Sequence, residues 1–263
     1  MRDIDALFAQ CKFPTLAHPY RQALEEAVRF ILGRFDVVGI IAAGTIVRGI
    51  PNKSSDLDIF VIHSRDERQR LQRFFNTVPT ELFVNPPHQI RRYFENENHE
   101  GRPCTAHIFA TGFVVLDGDA VVGELREKGK QIMASSPNPT EMRLTQLRYG
   151  VADNYENATD VIESDPQAAM LLMSDAVHYA LLFRFWQANR WLPRHKALLS
   201  ELAEIDPHLA QLGRRFYGET NLEERFRVAA EIMDATIGVR GFFEWDSELE
   251  AVPSDRPTTP DTN

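Results

Sequence analysis

The apolar residues Ala23, Ala27, Phe30 and Ile31 recur at helical spacing across residues 19–32, which predicts a helix leading into an extended apolar run over 37–42. A glycine-containing loop follows, and residues 56–62 (DLDIFVI) alternate and are rich in β-formers, as a strand requires. The charged amphipathic stretch 66–75 predicts a helix, and 81–84 (ELFV) a third strand that Pro86 and Pro87 terminate. Residues 89–97 read as a helix and 112–117 as a short strand before Gly118.

The pattern changes near Pro137-Asn138-Pro139. Beyond it the segments 141–163, 166–188, 194–203 and 222–237 all carry apolar residues at i, i+3, i+4 spacing, so the second half is expected to be a helical bundle. The fold class is therefore α+β, with a strand-bearing domain over 1–135 and an all-α domain over 136–249. The remaining stretch, 250–263, ends in VPSDRPTTPDTN and has almost no large apolar groups, so it is expected to be a disordered tail.

Composition narrows the function classes. With 29 Lys and Arg against 38 Asp and Glu, the net charge of −9 argues against a broad basic surface for coating nucleic acid, while leaving room for a local phosphate site. The two cysteines, Cys11 and Cys104, are far apart and no Cys/His spacing of the zinc type occurs, which removes disulfide scaffolds and structural zinc. The opening MRDIDALFAQCKF lacks the basic start and apolar run of a signal peptide, and no stretch approaches the ~18 apolar residues of a membrane span. The expectation is a cytoplasmic protein without a membrane partner.

The chemistry concentrates between Gly39 and Ile62. Asp56 and Asp58 are two apart on a predicted strand, so both carboxylates project from one face while Leu57 and Ile59 enter the opposite, buried one. Neighbouring carboxylates repel unless a cation lies between them, and hard oxygen ligands of this kind suit Mg²⁺ shared with substrate phosphates. Gly44-Thr45 follows the first strand, where a missing side chain admits phosphate oxygens and a hydroxyl can donate to them. Ser55 stands directly before Asp56, and Glu81 opens a strand that reaches the same site if it pairs beside Asp56 and Asp58. Three acids, a glycine-hydroxyl turn and Mg²⁺ together suit nucleotidyl transfer by in-line displacement.

Ala43-Gly44-Thr45, a spacer of ten residues, Asp56-Leu57-Asp58-Ile59 and then Glu81 resemble the motif of the polymerase-β-like nucleotidyltransferase superfamily, with Thr45 in place of the usual Ser or Gly. The match covers residues from about 36 to 85, and the two-part layout resembles the aminoglycoside nucleotidyltransferases and related bacterial enzymes. The resemblance implies a mixed sheet flanked by helices, ATP or another nucleoside triphosphate bound with Mg²⁺ in a cleft between the domains, and AMP transferred to a hydroxyl of a small acceptor. On it, Asp56, Asp58 and Glu81 hold the metal, and Gly44, Thr45 and Ser55 form the phosphate turn. It also implies an acidic general base from the helical half, for which Asp153, Glu156 and Asp160 are candidates, and places Lys196 where a lysine reaches nucleotide phosphates.

Each of these residues also has an ordinary structural reading. Ser55 can simply close a turn, Arg48 and Lys53 read as solvated loop charges, and Lys196 can be a surface lysine beginning a helix. Tyr149, Trp186 and Trp191 read as bundle core or cleft wall, and His63, His107 and His178 carry no ligand spacing. Arg190 and His195 have the spacing of a ribonuclease motif, but Pro193 between them opposes the continuous helix it needs. Two further functions stay open: a regulatory or antitoxin-like module that binds nucleotide without turnover, and a nucleotidyltransferase acting on a protein side chain or an RNA end.

Overall fold

The computed structural model describes residues 3–249; the tail expected over 250–263 lies outside the described residues. The chain divides into two compact units, Met1–Pro137 and Asn138–Asn263.

In the first unit, α1 (Ile4–Gln10) starts at Asp3, whose carboxylate accepts the Ala6 N–H at 3.0 Å. Helix α2 (His18–Arg34) has a proline in its first turn and buries the stripe Ala23, Leu24, Ala27, Val28, Ile31 and Leu32. There follow β1 (Val37–Ala43), the single turn α3 (Gly44–Val47), β2 (Leu57–His63), β3 (Gln69–Phe75) and β4 (Val78–Asn85). The unit ends with α4 (Pro87–His99), α5 (Cys104–Thr111), β5 (Phe113–Asp117) and α6 (Ala120–Ala134).

The five strands lie in the order β3-β4-β2-β1-β5, with β2 and β4 parallel and every other pair antiparallel, so the sheet is mixed. Alternation decides its two faces. Ile40, Ala42, Leu57, Ile59, Val61, Leu82 and Val84 share one core cluster with the buried stripe of α2. Each such fully buried Leu or Ile contributes about 1.5–3 kcal/mol to that packing. The opposite face carries Ala43, Asp58, Phe60, Glu81 and Phe83, and α5 and α6 cover one end of it. There a Cβ on Gly39 would lie 2.4 Å from Val122 of α6, and Phe109 of α5 meets Phe60 edge-on at 5.9 Å.

One expected element is wrong in kind. Residues 66–75 were expected to be helical, yet Gln69–Phe75 is an edge strand paired antiparallel with β4. The hairpin is closed by Asn76 and Thr77, both at positive φ (41° and 64°), the backbone of a two-residue type I′ turn. Leu71 and Phe75 join the α2 face, with Phe75 5.6 Å from Phe30, while Arg70 and Gln72 turn to the other face and meet Glu81. An edge strand with one buried side chain, two arginines and two glutamines has the composition of a surface helix, and its partner strand decides the matter. The helices α1, α5 and α6, and α10 in the second unit, are additional to those the pattern predicts; α6 buries Val122, Leu125, Gly129 and Ile132, a helical stripe interrupted by glycine.

The second unit is all-helical: α7 (Glu141–Val161), α8 (Pro166–Gln187), a 3₁₀ turn (His195–Ala197), α9 (Leu198–Ile205), α10 (Pro207–Gly218) and α11 (Leu222–Thr236). Thr140, Asp165, Asp206 and Asn221 each accept a first-turn N–H at 2.9–3.1 Å, caps worth about 1 kcal/mol apiece. By length and composition α8 could cross a bilayer. Its Met173, Ala176, Val177, Ala180 and Leu181 are instead buried in the core shared with α7, α9, α10 and α11.

Candidate active site

Asp58 pairs in register with Ala43 on β1 and with Glu81 on β4, and Glu81 pairs in turn with Gln72 on β3. Residues directly opposite one another share a face, so Asp58 and Glu81 stand side by side on the face away from α2. Asp56 lies just before β2. Asp56, Asp58 and Glu81, all partly buried, each offer an oxygen within 4.8 Å of those of the other two.

That spacing suits a divalent cation. Three oxygens no more than 4.8 Å apart have a common point within about 2.8 Å of each, so modest side-chain rotation reaches the 2.0–2.1 Å of Mg–O or 2.3–2.6 Å of Ca–O bonds. The all-oxygen donor set also excludes a thiolate-type zinc site.

Gly44 is what allows Asp58 its position. It sits at φ +92°, and a Cβ there would lie 2.9 Å from Asp58 Oδ2 and 3.4 Å from the Asp56 carbonyl oxygen. Any side chain at this position would be strained and would push the Asp58 carboxylate aside. Beyond it, the Thr45 and Ser55 hydroxyls bond to one another at 2.7 Å, and Ser55 Oγ also accepts the Asn52 N–H at 2.8 Å. Both hydroxyls thus pin the loop that returns from α3 to Asp56. Ile46, 1% exposed, anchors α3 in the α2-side core. Arg48 and Lys53 are exposed on that loop.

Glu81 is held from its other side. Arg70 Nη2 lies 2.6 Å from Glu81 Oε2, and Gln72 Nε2 donates to Glu81 Oε1. Sequence reading did not find these partners, because Arg70 and Gln72 fall in the stretch expected to be helical; read as a strand, their two-residue spacing puts both on one face.

The remaining candidates belong to the second unit. Asp153 and Asp160 are exposed on α7, with Asp153 accepting a hydrogen bond from Asn157 Nδ2 at 3.2 Å; Glu156 is half-buried and packs against Gly241. Lys196 is exposed in the 3₁₀ turn, because the helix expected over 194–203 begins as α9 only at Leu198. Arg190 and His195 share no helix; the His195 ring lies 4.9 Å from that of His178. Trp186 is buried, and Tyr149 is half-exposed against Trp245, with ring centroids 5.6 Å apart.

No family model and no curated protein matches the chain. Among solved structures, a nucleotidyltransferase-like protein from Exiguobacterium sibiricum 255-15 is similar at TM-score 0.51 and 16% identity, over 81% of this chain and 74% of that one. At this identity the likeness concerns the fold: a mixed sheet with flanking helices followed by a helical region, the α+β architecture of a nucleotidyltransferase-like protein.

Proposed function

We propose that the chain is a divalent-metal-dependent nucleotidyltransferase that moves a nucleoside monophosphate, AMP from ATP, to a hydroxyl of a small-molecule acceptor. The observation that carries this reading is the cluster of Asp56, Asp58 and Glu81 within 4.8 Å, beside a turn where Gly44 leaves space that a side chain would fill. When bound, Mg²⁺ would supply charge neutralisation at the triphosphate and at the attacking and leaving oxygens.

The chain's own residues do the rest. Asp56, Asp58 and Glu81 would hold the metal, Gly44 admits phosphate oxygens to the backbone, and Thr45 with Ser55 fixes the turn. The acceptor oxygen bonds to the α-phosphorus, the bond from that phosphorus to the bridging oxygen breaks, and pyrophosphate departs with the electron pair. The hydroxyl proton passes to a carboxylate, either Glu81 or an acid of the second unit, for which Asp153, Glu156 and Asp160 are the candidates. Lys196 is proposed as a further phosphate contact. Such catalysis rests on positioning and charge neutralisation, which is why few residue types suffice.

One observation favours a second reading, a module that binds nucleotide without turnover: Glu81 is already paired with Arg70. Calorimetric titration with ATP, GTP, CTP and UTP, with and without Mg²⁺, followed by an acceptor screen with α-labelled nucleotide, separates the two. Mg²⁺-dependent binding with label transfer supports the enzyme, binding without transfer to any acceptor class supports the module, and no binding by folded protein overturns both. Arg70 gives a finer check. Its side chain is 61% exposed, so Arg70→Met is expected to tighten Mg²⁺ binding by no more than about five-fold, the worth of an exposed ion pair. Weakened binding would mean that Arg70 orients Glu81 rather than competing for it.

A further inference from the structure

A cavity of about 590 Å³ lies on the same sheet face as the acid row, one step further along the strands. Its floor is Phe60, two residues after Asp58, and Phe83, two after Glu81; their rings stack at 4.5 Å and 18°. Two strand residues span about 6.6 Å, so a single ring on this floor brings a substituent to the acids.

The polar wall is organised before any ligand arrives. Arg68 Nη1 donates to the Tyr93 hydroxyl at 2.8 Å, and that hydroxyl donates to Oδ1 of the buried Asn85 at 3.4 Å. A guanidinium has five N–H donors, and among the described residues no carboxylate forms an ion pair with Arg68. Arg70 also lines the cavity, with its guanidinium 4.9 Å from the Phe83 ring centre. The one carboxylate in the wall, Glu97, is committed elsewhere: Oε2 accepts the Thr105 N–H and Oε1 the Thr105 hydroxyl, each at 2.6 Å. Burial pushes the Glu97 carboxyl above its ordinary range, against the pull of those hydrogen bonds. Arg70 is neutralised by Glu81, so the cationic group that the wall holds without a carboxylate partner, among the described residues, is Arg68.

We propose that this cavity receives the acceptor, and that the acceptor is an anion: a carboxylate- or phosphate-bearing compound whose apolar body packs against the edge of Phe83 and against Ile108, whose charge meets Arg68, and whose hydroxyl faces Glu81. The assignment rests on the nucleotidyltransferase reading and narrows it, since a polycation such as an aminoglycoside would meet the Arg68 guanidinium here, while the wall carboxylate, Glu97, is already bonded to Thr105.

Cys104 is exposed and lines the cavity, so it reports occupancy without any need for turnover. Cys11 is the internal control, a half-buried thiol whose pKa burial raises. The rate of N-ethylmaleimide alkylation at each cysteine, read by peptide mass spectrometry, would be measured with three phenols that differ in charge: 4-hydroxyphenylacetate, 4-hydroxyphenylethanol and tyramine. Protection of Cys104 is expected at roughly ten-fold lower concentration of the anion than of the neutral compound, with tyramine weakest and Cys11 unaffected. Arg68→Gln is expected to abolish the preference for the anion while retaining Mg²⁺-dependent ATP binding.

Equal protection by all three phenols, protection best by tyramine, or none, in protein that binds Mg²⁺ and ATP, would overturn the acceptor assignment alone. Protection of Cys104 by Mg²⁺ with ATP, in competition with the anion, would give the cavity to the nucleotide and overturn it too. Anion-selective protection in protein that binds no nucleotide would overturn the transferase reading and, with it, the acceptor role.

Discussion

Asp58→Asn is expected to abolish Mg²⁺-dependent nucleotide binding and to lower transfer by at least 10²–10³-fold, on the order of what one lost electrostatic contact to a transition state costs. The same change is expected to leave the metal-free protein at least as stable as before. Asp58 shares its sheet face with Glu81, and both lie within reach of Asp56. Removing one of three like charges relieves repulsion, and asparagine keeps the shape and a hydrogen-bonding oxygen. Thermal melts with and without Mg²⁺ and ATP check this directly. The wild type should gain about 2.7 kcal/mol at a hundred-fold excess over Kd, a shift of several degrees. The variant should gain nothing while its metal-free melting temperature holds or rises. A metal-free variant that melts well below the wild type would make Asp58 a structural residue and remove the main support for a metal site.

Gly44→Ala is expected to fail differently, losing stability and binding together. Its positive φ of 92° costs an L-residue about 1–2 kcal/mol, and the added methyl group would lie 2.9 Å from Asp58 Oδ2. Relief requires Asp58 to move, which opens the three-oxygen cluster. Gly49→Ala separates the two effects, because Gly49 also has positive φ, 77°, but nothing lies within 4 Å of its would-be Cβ. It should show a comparable loss in denaturant unfolding with Mg²⁺ affinity intact. Equal loss of Mg²⁺ affinity in both variants would attribute the defect to loop strain and not to the contact with Asp58.

Much of this site is readable one residue at a time. The alternation of DLDIFVI puts Asp56 and Asp58 on the face opposite Leu57 and Ile59, and in the structure Leu57 and Ile59 are fully buried. The glycine after an apolar run marks a turn, and Gly44 makes that turn at positive φ. The exception is a segment without enough burial to choose between periods. Residues 69–75 contain one buried side chain, Leu71, and the rest is charge, amide and two partly or wholly exposed phenylalanines. With so little burial, the period carries little information, and pairing with β4 determines the state. The second unit shows the converse: α7, α8 and α11 are legible because each buries a continuous stripe over 15 to 22 residues, whereas the stripe of α10, Leu209, Leu212, Gly213 and Phe216, spans only 12 residues and includes a glycine.

Sequence alone thus determined the fold class, the acids of the Asp-x-Asp strand and the glycine turn, because each depends on where a side chain points relative to its chain neighbours, a property of local backbone geometry. Only the tertiary structure decided what stands beside them. The hold of Arg70 and Gln72 on Glu81 depends on which strand pairs with β4. The cavity wall of Arg68, Tyr93 and Asn85 depends on α4 folding back over residues 25 positions away. Those neighbours are chosen by strand order and by burial of distant apolar faces, and no periodicity within a single segment encodes either.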